Sequence, residues 1–147
     1  MLEELKALSQ RIITEIYNAG NPDAVEELFH PQYVQKPVGY KGPEGARRYV
    51  DELRASFSEL NFDLVGQIAE DDSVVNLLIM NGHHTGTLLG HIPASGREVV
   101  AIYAVIHRFV DGKLVEGVII SDQLSVMQQI GVVPTPVWAG MGETGSE

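Results

Sequence analysis

Residues 97–122 read "REVVAIYAVIHRFVDGKLVEGVIISD". Two runs rich in valine, isoleucine and aromatic residues flank Asp111–Gly112, the dipeptide that most favours a two-residue hairpin turn. The spacing therefore predicts two long antiparallel strands. With a two-residue turn, Val110 faces Lys113, His107 faces Glu116 and Ala101 faces Asp122. On that register His107, Tyr103 and Ala101 share one face with Val118, Ile120 and Asp122. His107 and Asp122 then stand six positions apart along the ladder, roughly 20 Å at ~3.4 Å per residue. Asp122 closes an apolar run and opens "QLSVMQQI", whose spacing is helical. A buried carboxylate without a partner is costly, so Asp122 either caps that helix or does chemistry in a cavity.

Upstream, "NFDLVGQIAED" and "DDSVVNLLIMNGHHTGTLLG" read as two further strands joined at Asp71–Asp72, with "HIPASG" as the next loop. The first part of the chain is helical. Leu2, Leu5, Leu8, Ile12, Ile13, Ile16 and Tyr17 have helical spacing, which Gly20 ends, and "PDAVEELF" follows from Asn21. "GPEGARRYVDELRASF" is a third helix. Between them "HPQYVQKPVGYKG" reads as extended and loop-like, because Pro31 and Pro37 exclude regular helix. Helices first and consecutive strands after predict an α+β domain, a curved antiparallel sheet wrapped around N-terminal helices. The domain is expected to span residues 1–131, with an irregular tail over residues 132–147.

The chain has 147 residues, enough for one domain with a real core, and 20 acidic against 10 basic residues give a net charge of −10. That balance argues against nucleic acid and against an anionic membrane surface. The sequence holds no cysteine, which excludes disulfides, thiolate catalysis and cysteine zinc sites. The opening residues lack the layout of a signal peptide, and no apolar run approaches the ~20 residues of a membrane span. The expected location is the cytoplasm, and the expected partner is a small molecule or a second copy of the chain. No metal site is expected, since "GHH" puts its histidines on opposite faces of a strand.

The segments "NAGNPDAVEELFHPQYV", "GPEGARRYVDELRASF", "GHHTGTLLGHIPASGREV", "IHRFVDGKLVEGVIISD" and "LSVMQQIG" resemble, in order and spacing, the SnoaL-like polyketide cyclases. These belong to the ketosteroid-isomerase-like, cystatin-like α+β cone superfamily. The resemblance implies a cofactor-independent enzyme that closes a ring in a polyketide-like ester by intramolecular aldol condensation. It places the family's acid/base aspartate on Asp122. Two departures stand out. "EGVIISD" lacks the tryptophan the family carries shortly before that aspartate. Lys36 also stands where the family often has a histidine, in a place where ketosteroid isomerases carry their catalytic aspartate.

With "HIPASG" closing the preceding loop, Leu89 pairs near Glu98 and His84 lies opposite Tyr103, within a row or two of Asp122. The expected catalytic set is Asp122, His84 and His107, with His83 replacing His84 if the register slips by one. Lys36, Tyr33, Tyr49, Phe57, Met80 and Tyr103 are the expected substrate-binding residues. Each has a plain alternative: a solvated loop lysine, a rim histidine paired with Glu116, or ordinary core. The rival function is a non-catalytic small-molecule binding module of the same fold, with a related isomerase, hydrolase or hydroxylase as a further alternative. The sheet's outer face carries Val100, Ile102, Ala104, Ile106, Val115 and Ile119, too apolar to leave in water. A homodimer through that face is expected unless the tail around Trp138 covers it.

Overall fold

The computed structural model describes residues 1–136; Trp138 lies outside the described residues. Helix α1 (Leu2–Arg11) widens into π-helical turns over Ile12–Asn18. Gly20, at φ +64°, ends them, and Arg54 stacks so close that a Cβ there would meet its Nε at 2.7 Å. The Arg54 guanidinium donates to the Asn18 carbonyl at 2.8 Å, placing a cation where the helix leaves carbonyls unpaired. Asn21 accepts from the Asp23 N–H and opens a 3₁₀ turn, Pro22–Ala24, which runs into the short α2 (Val25–Leu28).

Strand β1 (Phe29–Lys36) comes next, then α3 (Gly42–Ser56), β2 (Phe57–Glu70), β3 (Ser73–His84), β4 (Glu98–Val110), β5 (Lys113–Ser121) and α4 (Gln123–Gln129). The sheet has five strands in the order β1-β5-β4-β3-β2. Four are antiparallel, as the hairpin signals require, but β1 joins β5 in parallel. The stretch expected to be a loop is therefore an edge strand. Prolines are tolerated on an edge, where an N–H is not needed by a neighbour.

The inner face of the sheet carries Val74, Leu78, Met80, Val99, Ala101, Tyr103 and Val105 against Ile12, Ile13 and Ile16, all buried. Removing each of these large side chains from water is worth about 1.5–3 kcal/mol. The sheet curls over the helices through bulges in β2 and one between β4 and β5.

The β4–β5 bulge revises the expected register. Asp111 and Gly112 both have positive φ, as a type I′ turn requires. Val110 pairs with Lys113 and Phe109 with Leu114, but Arg108 then pairs with Glu116. The extra residue, Val115, moves every later residue of β5 to the other face. His107 faces Gly117, not Glu116, and Tyr103 faces Ser121. Gly117, Ile119 and Ser121 point inward, whereas Val118, Ile120 and Asp122 had been expected there. On the outer face Ile120 replaces Ile119, beside exposed Val100, Ile102, Val75 and Leu77.

The β3–β4 register also differs. His83 pairs with Glu98, so His84 stands opposite residue 97 and Tyr103 pairs with Leu78. The connection is longer than "HIPASG" because residues 85–97 form a loop tied down at Gly86. There the Gly86 N–H donates to the Ser56 carbonyl, and a Cβ would lie 1.9 Å from the Ala55 oxygen.

Candidate active site

A cavity of about 790 Å³ opens between α3, the end of β1, the loop at 87–90, the inner rows of β4 and β5, and α4. Its walls are mostly apolar: Phe57, Leu53, Leu88, Ile119, Val126 and Met127. Polar groups enter at Gln35, Tyr40, Glu52, Tyr49, Tyr103 and Ser121, with Lys36 at the edge. Such a volume suits a small organic ligand.

Four of the expected substrate-binding residues line this space: Lys36, Tyr49, Phe57 and Tyr103. Tyr33 and Met80 do not; both are core, 1% and 0% exposed. Burial pushes the Tyr49 and Tyr103 hydroxyls above the usual phenol range, so both remain donors at neutral pH. Lys36 bonds to Glu116 at 2.8 Å, and this ion pair draws the Glu116 carboxyl below its ordinary value. Glu52 lines the cavity as well. It accepts from the Tyr40 hydroxyl and from Arg48 Nε at 2.9 Å, and these bonds lower its pKa. A carboxylate stabilised in this way is a weak base.

The expected catalytic residues are not brought together. Asp122 is exposed and its Oδ1 accepts from the Ser125 N–H at 3.0 Å, capping α4. It does not face into the cavity, because the β5 bulge gives the inward place to Ser121. Its neighbours Ser121 and Gln123 line the cavity, but Asp122 itself does not. His84 is fully buried, with Nδ1 3.1 Å from the Ser95 N–H and 2.8 Å from the Ser95 hydroxyl. The ring proton therefore belongs on Nε2, which has no partner among the described residues. The ring packs on Phe57, behind the cavity wall, and lies five rungs from Asp122, not one or two. His83 takes the outer face, 3.0 Å from Glu59.

His107 is neither on a rim nor paired with Glu116. It lies under α1, fully buried, with Nδ1 2.6 Å from the Ser9 hydroxyl. Asn76 donates to that same hydroxyl at 2.8 Å and to the Val105 carbonyl at 3.1 Å. Burial lowers the His107 pKa to about 3. The ring is a neutral member of a buried polar cluster that pins α1 to the sheet.

Residues 7–130 match the family described as SnoaL-like polyketide cyclase. The chain belongs to this family. It is 31% identical over 133 residues to aklanonic acid methyl ester cyclase DnrD of Streptomyces peucetius, covering 86% of this chain and 91% of that protein. It is 30% identical over 103 residues to nogalonic acid methyl ester cyclase of Streptomyces nogalater, covering 67% and 76%. Among solved structures, TsrD from Streptomyces laurentii superposes with a TM-score of 0.81 at 26% identity, covering 89% of this chain and 97% of that chain. The α+β cone is thus the fold of this SnoaL-like chain.

Sequence reasoning missed Gln35 and the Tyr40–Glu52 pair. Gln35 sits in the strand hidden between two prolines. Tyr40 and Glu52 meet only because α3 folds back over β1; the one local signal was the i,i+4 spacing of Arg48 and Glu52.

Proposed function

We propose that this SnoaL-like chain is an enzyme that closes a ring in a polyketide-like methyl ester by intramolecular aldol addition. The observation that carries this reading is the roomy apolar cavity, edged by a few polar groups, in a member of this family. A carbon between two carbonyls is already acidic, so a carboxylate can remove its proton. The resulting enolate carbon attacks an aldehyde or ketone in the same molecule, and one C–C bond forms. The carbonyl oxygen becomes an alkoxide and takes up a proton, so the product is an isomer of the substrate. The cavity contributes by holding the chain folded with the reacting carbons in contact. Neither a redox group nor a metal enters this balance.

Asp122 is the proposed acid/base. In the chain it stands between two lining residues, Ser121 and Gln123, and its Oδ2 makes no hydrogen bond within the described residues. Asp122→Asn tests this cleanly, because asparagine caps a helix about as well as aspartate. With an anthraquinone carrying a β-keto methyl ester and an adjacent ketone as substrate, kcat should fall by about 10²–10⁴ while binding changes little. An unchanged kcat would remove Asp122 from the chemistry.

The exposed, capping position of Asp122 favours a second reading, a binding module that holds such a molecule without turnover. Binding of the ester by the wild-type protein with no cyclised product would establish that reading and exclude the first.

We also propose that two copies pair through the outer face of the sheet, where Val100, Ile102 and Ile120 are each more than half exposed. The proposed location is the cytoplasm. Among the described residues no helix is long and apolar enough to cross a membrane.

A further inference from the structure

The cavity wall contains a buried polar group that the reaction above leaves unused. Gln35 lies near the end of β1, is 3% exposed and lines the cavity. Its Oε1 accepts from the Tyr33 hydroxyl at 3.2 Å, and its Nε2 has no hydrogen-bond partner among the described residues. Nε2 is not sealed off from solvent; it opens into the cavity, where its acceptor must come from water or from a ligand. A ligand oxygen arriving there takes over the place of that water and meets a donor already aimed at it. Building on the cyclase reading, we propose that the Gln35 carboxamide donates through Nε2 to the oxygen of the substrate carbonyl that is attacked, with Tyr33 as its positioning residue.

The surrounding structure fixes this amide. The backbone of Gln35 is held on both sides: it pairs with Gly117 of β5, and its N–H donates to the Tyr40 carbonyl at 2.8 Å. Tyr33 is 1% exposed and packs edge-on against Phe29, with ring centroids 4.8 Å apart. Its hydroxyl fits against Gly117, where a Cβ would come within 2.9 Å. Among the described residues the one acceptor of this hydroxyl is Gln35 Oε1. That bond turns the amide so that its remaining hydrogens are the free ones. The β5 bulge is part of the arrangement, since it brings Gly117 and its missing side chain to the inner face opposite Tyr33.

The chemistry matches a donor with no proton to lose. As the enolate carbon attacks, negative charge accumulates on the carbonyl oxygen. A preorganised neutral N–H in an apolar wall stabilises that charge more than it stabilises the starting carbonyl. Nε2 only donates, so it suits a carbonyl oxygen, which accepts, and offers nothing to an ammonium or another N–H.

The test uses an unreactive probe, 9,10-anthraquinone labelled with ¹³C at its carbonyls, read by isotope-edited infrared spectroscopy on the wild-type protein, Gln35→Met and Tyr33→Phe. The wild type should lower the stretch of one carbonyl. Gln35→Met should return it to its hydrocarbon-solvent value and weaken binding about 3–10-fold. Tyr33→Phe should leave a broader, less shifted band, an effect on the spectrum that loss of packing alone does not produce. A parallel measurement needs no variant to fold: the Gln35 side-chain ¹⁵N–H resonances of the wild type should move when the probe is added. An identical carbonyl band in wild type and Gln35→Met, Gln35 resonances that do not move, or no binding of the probe by the wild type would each overturn the proposal. Because the probe is not turned over, these results are separate from failure to cyclise the ester, which counts against the cyclase reading instead.

Discussion

Tyr103 and Ser121 face each other across β4 and β5, and both side chains line the cavity. Asp122 follows at once and caps α4. One extra residue, Val115, decides that a serine and not an aspartate completes the inner row. Val126 and Met127 of α4 also wall the cavity, so Asp122 influences the cavity through the helix it begins.

Asp122→Ala should therefore differ from Asp122→Asn in stability, although both remove the carboxylate. Loss of the cap typically costs about 1 kcal/mol, while asparagine retains it. Urea unfolding at neutral pH should show the alanine variant destabilised by that amount and the asparagine variant within a few tenths. An alanine variant as stable as the wild type would mean that the cap bond carries no stability.

His107 sets a pH dependence whose sign follows from its burial. Its folded pKa, about 3, lies below that of a free histidine, about 6.5. Between those values the unfolded chain holds a proton that the folded chain does not. Stability due to this residue is therefore full above about pH 6.5. It falls by roughly 1.4 kcal/mol per unit as pH drops towards 3. His107→Gln removes the titration, so the wild-type protein should lose about 2 kcal/mol more than the variant between pH 7 and pH 5 in urea titrations. Parallel curves for the two proteins would show that His107 takes up its proton as readily in the folded chain as in the unfolded one.

Gly117 and Tyr33 should be energetically coupled. A methyl group at Gly117 would meet the Tyr33 hydroxyl at 2.9 Å, while the nearest ring carbons lie at 3.5 and 3.6 Å. Gly117→Ala alone should cost about 1–3 kcal/mol by overpacking. Removing the hydroxyl with Tyr33→Phe leaves ordinary contacts, so the double variant should be more stable than the sum of the single changes by about 1 kcal/mol. Strict additivity would show that the methyl group is accommodated elsewhere.

The outer face gives an assembly prediction. Sedimentation at micromolar concentration should show a dimer, and Ile102→Glu, which puts a charge at the centre of the apolar face, should give a monomer with an unchanged circular dichroism spectrum. A monomeric wild type would remove the proposed dimer.

The sequence made legible whatever depends on short-range pattern. The Asp111–Gly112 turn, the helical spacing of Ile12, Ile13 and Ile16, and strands β3 and β4 appear where the pattern placed them, except that β3 ends at His84 and not at Gly90. His84 was assigned to the correct face but to the wrong row, because parity survives an error in loop length and position does not. The bulge at Val115 leaves no local signature, and it displaced Asp122 and Ile119 from their expected faces. Strand β1 was hidden for another reason. Its partner, β5, is distant in sequence, and its prolines mimic a loop until an edge position is available.

That parallel pairing also orders events in time. β2 to β5 are joined by consecutive antiparallel contacts and can assemble as neighbours, but β1 is made early and finds its place only against the last strand. Contacts so distant in sequence are the slowest to form. On the ribosome, the edge carrying Tyr33 and Gln35 has no strand partner until Val118 has emerged. The side of the cavity that carries its free donor is the last to be set.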